Sequence, residues 1–175
     1  MCPGECKDRM GDAFARFGRV PILRRTRVAS PDDPAFRRRS PAPFWAAGGL
    51  VHDRRGSIVL VRVAEESTTG RWFTPGGLLE PGERTDDGLR REVRKEVGVE
   101  VTDPVLTRII HETITDGERV RHGYFAQFIA VAQSTDLRAA HEVMEARWFH
   151  DLPPDMAFRD DYLEDFQRVQ PGTTF

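Results

Sequence analysis

Glu92, Lys95 and Glu96 fall within one short stretch of the chain, "REVRKEVGV". On a helix, positions i, i+3 and i+4 share a face, so these three side chains converge. Two carboxylates on one turn repel each other unless a cation sits between them. A hard divalent ion such as Mg²⁺ suits that gap, because it takes oxygen ligands and keeps waters that phosphate oxygens can replace. Gly76 and Gly77 lie a little upstream. They allow close backbone approach and leave a carbonyl free to act as a further oxygen ligand. Lys95 runs against this chemistry, since a protonated lysine only donates and cannot ligate a metal. Taken alone, the stretch reads better as a solvated, charged helix face, the usual meaning of such charges.

The elements that would position these residues can be read from periodicity. Leu89, Val93 and Val97 recur every four residues and form one apolar stripe. Thr85 is expected to cap a helix of about 86–97, with Asp86 and Asp87 favouring its positive end and Gly98 supplying a left-handed C-terminal cap. Upstream, "FWAAGGLVHD" and "GSIVLVRVA" are apolar runs separated by Asp53–Gly56 and predict a hairpin. The nearly continuous "SIVLVRV" predicts a strand buried on both faces. "EESTTGR" (65–71) reads as a loop and "RWFTPGG" as a short strand. Downstream, 105–115 and 119–133 read as strands about a turn. If Asp116-Gly117 is a two-residue loop, Glu112 opposes Arg121, Ile109 opposes Tyr124, and His111 opposes His122 on one face. "EVMEARWFH" predicts a further strand. "FRDDYLEDFQRV" predicts a C-terminal amphipathic helix with Phe158, Tyr162, Phe166 and Val169 on one face. The pattern is α/β, a mixed sheet between helices.

Between Gly77 and Val99 the spacing is specific. Gly77, Glu83, Arg91-Glu92-Val93, Glu96 and Gly98-Val99 occupy the specified positions of the Nudix box, G-x5-E-x7-R-E-U-x-E-E-x-G-U with U aliphatic, and Lys95 is the one departure. Trp72, Pro75 and Gly76 resemble the family's usual lead-in. The resemblance is specific over 71–99, is one of fold over about 44–150, and does not extend to 1–43. It implies a Nudix-type α/β/α sandwich and metal-dependent hydrolysis of a nucleoside diphosphate linked to another moiety, with Mg²⁺ or Mn²⁺ as cofactor. By resemblance, Glu96 is the principal metal ligand and Glu92 a ligand or an orienter of the attacking water. The Gly77 carbonyl completes the coordination, while Glu83 and Arg91 brace the loop on the helix. A further catalytic acid is expected before the last core strand: Glu142 first, Glu145 second, with two exposed loop acids as the bland alternative.

At Lys95 the family usually carries another carboxylate. Three accounts stand open: fewer or weaker metals, a degraded site that only binds nucleotides as a sensor, and an introduced charge reversal that traps an inactive state. The substrate is not legible. Where some subfamilies carry a diagnostic proline or tyrosine, this chain has Thr115. Phe44, Trp45 and Phe73 are candidates to stack on a base, though such residues are more often core.

The 175-residue chain is long enough for one domain with a real core. Its net charge of −2 argues against a global field for nucleic acid or membrane, and no apolar run approaches roughly eighteen residues. A cytoplasmic protein is the expectation, with a nucleotide or nucleoside diphosphate derivative as its partner. A homodimer is left open, since the histidine pair would suit a subunit contact. Residues 1–43 carry a net +5 and little periodicity, so they are expected to form a basic, partly ordered extension. "VPILRRTRV" is its one candidate for an edge strand. Residues 44–175 are expected to form the catalytic domain. Cys2 and Cys6 read as free thiols, since no further ligands complete a zinc set.

Overall fold

A computed structural model describes residues 5–63, 70–140 and 143–172. The chain runs α1 (Glu5–Phe17), β1 (Ile22–Val28), a short α2 (Pro34–Arg37), β2 (Phe44–His52), β3 (Ile58–Val63), β4 (Gly76–Leu78), α3 (Thr85–Val97), β5 (Val101–Thr115), β6 (Val120–Ala132), β7 (Val143–Phe149), a 3-10 turn (Arg159–Tyr162) and α4 (Leu163–Val169). The sheet order is β1-β5-β6-β2-β3-β7, with β4 also paired to β2. It is mixed: β1 with β5 and β2 with β6 are parallel, and the other pairings are antiparallel.

Both sheet faces are covered, which explains the continuous apolar run in β3. Val59 and Val61 join the core beneath α1 and α3, together with Leu89, Val93, Val97 and Phe128. Ile58 and Leu60 join a second core with Trp72, Tyr162 and Val169 beneath the C-terminal helix. All four β3 residues are fully buried. The fold is an α/β/α sandwich: the residue pattern predicts a mixed sheet with helices, and the family resemblance implies this layering. Among the described residues, no helix is long and apolar enough to cross a membrane.

One departure from regular pairing positions the site. β2 pairs with β3 only through Val51 and His52. Nearer its start, Ala46–Gly48 pair with β4 instead. The two partners diverge, β3 reaches back to the chain through a Val61–Phe73 bridge, and the double glycine of β4 is held next to α3.

Four expectations need correction. Thr85 is not the cap but the first helical residue; the cap position is Arg84, which makes no side-chain hydrogen bond there. The charge at this helix start is met from outside, by Arg16 of α1, which binds Asp86 through both terminal nitrogens. Residues 9–43 do not trail away. α1 packs on the core and β1 adds the parallel edge strand beside β5. The β5–β6 turn holds four residues, not two, so Thr115 pairs with Val120, His111 with Tyr124 and Glu112 with Gly123. The cause is Asp116, whose side chain accepts the amides of Glu118 (3.0 Å) and Arg119 (2.7 Å) and builds a wider turn. An even shift keeps every residue on its face. His111 and His122 are therefore still neighbours, diagonal rather than opposite, with Nε2 and Nδ1 3.3 Å apart. Lastly, Phe158 lies outside the C-terminal helix in a left-handed conformation (φ 54°) and is half exposed.

Candidate functional site

α3 ends where Gly98 adopts a left-handed conformation (φ 71°) and its amide bonds the Arg94 carbonyl. The helix thereby directs two glutamates toward β4. Glu92 and Glu96 are only 6% and 8% exposed, so they do not form a solvated face. The Gly76 amide donates to Glu96 Oε2 (3.0 Å). Gly77 lies so close to Glu92 that a Cβ there would come within 2.7 Å of the Glu92 carboxyl carbon. Any side chain at 77 would push that carboxylate aside.

Arg91 braces this arrangement. It binds Glu83 in bidentate fashion (2.7 and 2.9 Å), donates to the Leu78 carbonyl (2.9 Å), and also reaches Glu92 Oε1. The Arg91 hydrogen bonds hold the Glu83 carboxyl below the ordinary carboxylate range, and the same bonds raise Arg91 above its own. Arg9 of α1 adds bonds to the Glu80 and Glu83 carbonyls (2.6 and 3.2 Å), so the loop before α3 is held from two sides. Lys95 is half exposed, and its Nζ lies 3.6 Å from Glu92 Oε2. Glu92 is thus approached by a guanidinium on one oxygen and an ammonium on the other.

These residues open onto a cleft of about 960 Å³. Glu92, Lys95, Glu96, Gly76 and Gly77 line it together, so the site residues read from spacing are neighbours in space. Phe44 and Phe73 also line it. Trp45 does not: it is 1% exposed and stacks on Tyr124 (4.8 Å, 17°) within the core. Glu142 lies outside the described residues. Glu145 faces Arg62 and Arg147 on β7 and is not part of the cleft wall.

Among the described residues, no three His, Cys, Asp or Glu side chains are grouped to hold a metal. Two carboxylates and a backbone do not make a closed cage. They suit an ion that is held by one or two carboxylates and completed by the phosphates it arrives with, which is how Mg²⁺ is commonly bound. The other wall of the cleft was not anticipated. Arg25, Glu112, Phe158 and Asp161 line it. Glu112 faces Gly123, where a Cβ would come within 2.4 Å of the Phe44 ring, and what joins it to the site is Arg25 of β1, distant in sequence.

Residues 42–165 match the NUDIX domain. Among curated proteins, the chain is 27% identical over 128 residues to the 8-oxo-dGDP phosphatase NUDT18 of Danio rerio, covering 73% of this chain and 38% of that protein. It is 35% identical over 107 residues to the NAD-capped RNA hydrolase NudC of Pseudomonas putida, covering 60% and 37%. It is 28% identical over 117 residues to the nucleoside triphosphatase NudI of Escherichia coli, covering 60% and 79%. The chain thus spans well under half the length of the first two. A MutT NUDIX hydrolase from Burkholderia pseudomallei shares the fold with a TM-score of 0.57 at 21% identity, over 76% of this chain and 99% of that one. A NUDIX hydrolase from Nitrosomonas europaea does so with 0.57 at 22%, over 75% and 76%.

Proposed function

This chain belongs to the Nudix family, and from that premise we propose that it binds a nucleotide or nucleoside diphosphate derivative in the cleft beside α3, with its pyrophosphohydrolase activity weakened. The observation that carries this reading is the pairing of Glu92, whose two carboxylate oxygens meet Arg91 and Lys95. A carboxylate neutralised by its own chain attracts a divalent ion less, and Lys95 stands where the family pattern places a further acid.

The residues retained still suit phosphate chemistry. Glu92, Glu96 and the Gly77 carbonyl would hold Mg²⁺ or Mn²⁺, which when bound supplies charge neutralisation and an activated water. Arg91 and Glu83 keep Glu92 directed into the cleft. The Lys95 ammonium supplies part of the positive charge that a diphosphate needs, without activating water. The three curated relatives are named for 8-oxo-dGDP, NAD-capped RNA and nucleoside triphosphates, which supports the ligand class but not a choice within it.

A second reading, full hydrolase activity, is favoured by one observation: both glutamates are buried against the cleft as an active site would require. One experiment separates the two. Nucleoside diphosphates, triphosphates and nucleotide sugars are titrated calorimetrically with and without Mg²⁺ or Mn²⁺, and phosphate and pyrophosphate release is followed in parallel. Saturable binding with slow release is the expected result. Rapid release would establish the second reading, and no binding to any nucleotide would end both.

A further inference from the structure

The segment ahead of the matched domain reaches the cleft through one side chain. Arg25 of β1 lies at the cleft wall, its Nε donating to Glu112 Oε1 (3.0 Å) and its Nη1 to Asp161 Oδ2 (2.8 Å). Its guanidinium lies 4.6 Å over the Phe158 ring. The two acceptors come from different elements, β5 and the 3-10 turn, so Arg25 ties three parts of the chain together at one point. Asp161 is held in turn, because its backbone carbonyl accepts from Gln127 Nε2 (3.0 Å).

This cluster is well separated from the acidic turn. From β2, beside which β4 and α3 lie, the sheet order passes through β6 and β5 to β1. Three strand spacings amount to about 14 Å. A group bound at Arg25 is therefore not the group bound at Glu92. The charge also differs in character. Within the cleft wall Arg25 is paired with two acids, Glu112 and Asp161, so its own charge is already met. A phosphate is disfavoured there. A neutral planar ring with donors and acceptors on its edge is favoured, because the guanidinium keeps N–H donors beyond the two it uses and each carboxylate keeps acceptor capacity. Phe44 and Phe158 add aromatic wall.

We propose that Arg25, Glu112 and Asp161 form the base-binding end of the cleft and that Arg25 is a specificity-determining residue. This rests on the nucleotide-binding reading above. With the phosphates at Lys95 and Glu96, the nucleobase reaches the Arg25 cluster, and the segment before the family domain decides which base is accepted.

The test uses the full chain and compares the wild type with Arg25→Ala and Arg25→Lys. Affinities are measured for inorganic tripolyphosphate and for the four common nucleoside triphosphates, with a melting curve for each protein. Arg25→Ala is expected to lower affinity for the preferred nucleotide by about tenfold or more and to flatten the ranking among bases, since hydrogen bonds to a charged group are lost. Tripolyphosphate affinity should hold within about twofold. Arg25→Lys keeps the charge but loses the planar fork, so it should flatten the ranking while melting as the wild type does. If nucleotide and tripolyphosphate affinities fall together, or if neither changes, Arg25 is a structural tie and the inference is overturned. If the wild type binds tripolyphosphate but prefers no nucleoside, there is no base-binding end. Absence of any binding by the wild type overturns the functional reading and this inference with it.

Discussion

At Lys95 one side chain sets the charge that the acidic turn presents to the cleft. Its ammonium sits 3.6 Å from Glu92, which is buried and also held by Arg91. Lys95→Glu changes the local charge by two units and adds a hard oxygen donor beside Glu92 and Glu96. Lys95 is half exposed, so the solvent screens part of the effect. The expected gain in Mg²⁺ or Mn²⁺ affinity is still about tenfold or more, with a comparable rise in nucleotide turnover. Without metal the same variant should melt at a lower temperature, because three carboxylates then crowd one turn. A metal titration, a phosphate-release assay and a metal-free melting curve on both proteins check this. Unchanged metal affinity and turnover would mean that Lys95 does not control the site, and the proposed weakening would lose its cause.

Among the elements, the C-terminal helix shows how a site wall is held by a buried charge. Asp165 is fully buried on α4 and accepts from Thr107 (2.8 Å), Gln127 (2.7 Å) and Arg108 (3.0 Å). Asp165→Ala would strip the buried partners of Thr107, Gln127 and Arg108 at once, at a cost of about 3–5 kcal/mol. That corresponds to a fall in melting temperature of roughly 6–20 °C, measurable by thermal denaturation, and it should loosen the adjacent Asp161 wall of the cleft. The sequence carried a hint: Asp165 falls three residues after Tyr162 and four before Val169, a polar residue on the apolar stripe. The contrast with α3 marks what was legible. The α3 stripe and its Gly98 stop are local, and periodicity and glycine conformation suffice to place them; the Gly77–Glu83–Arg91–Glu92–Glu96 set is local too, but its roles come from the family resemblance. The β5–β6 register was missed because one side chain, Asp116, selects the turn. The Asp86–Arg16 lock and the Arg25 cluster were missed because each joins residues far apart in sequence, which no local pattern encodes.

For the molecule as a whole, the main question is whether the described part of the 1–43 extension, residues 5–43, is an appendage or part of the fold. Composition suggests an appendage, since the segment is rich in arginine and poor in periodicity. The packing says otherwise. Ala13 is fully buried, and Met10, Phe14, Phe17, Val20 and Ile22 pack against the same core as α3. Phe17 meets Phe128 edge to face at 5.4 Å. Even about 1 kcal/mol for each of these five partly buried side chains approaches the roughly 5–15 kcal/mol net stability of a typical domain. Removing the segment also uncovers β5. Along Ile109–Thr115, the stretch that β1 pairs, this strand would become an open edge with amides and carbonyls exposed, a template for pairing between chains. A chain starting at residue 30 is therefore expected to aggregate, or to melt without a cooperative transition under conditions where the full chain is folded. Phe17→Ala in the full chain gives a milder version of the same loss, with an expected drop of about 1–3 kcal/mol because the ring is only partly buried. Solubility, thermal melting and sedimentation of the two variants provide the check. A truncated chain that stays monomeric and melts with the wild type would show that α1 and β1 only decorate a self-sufficient sheet.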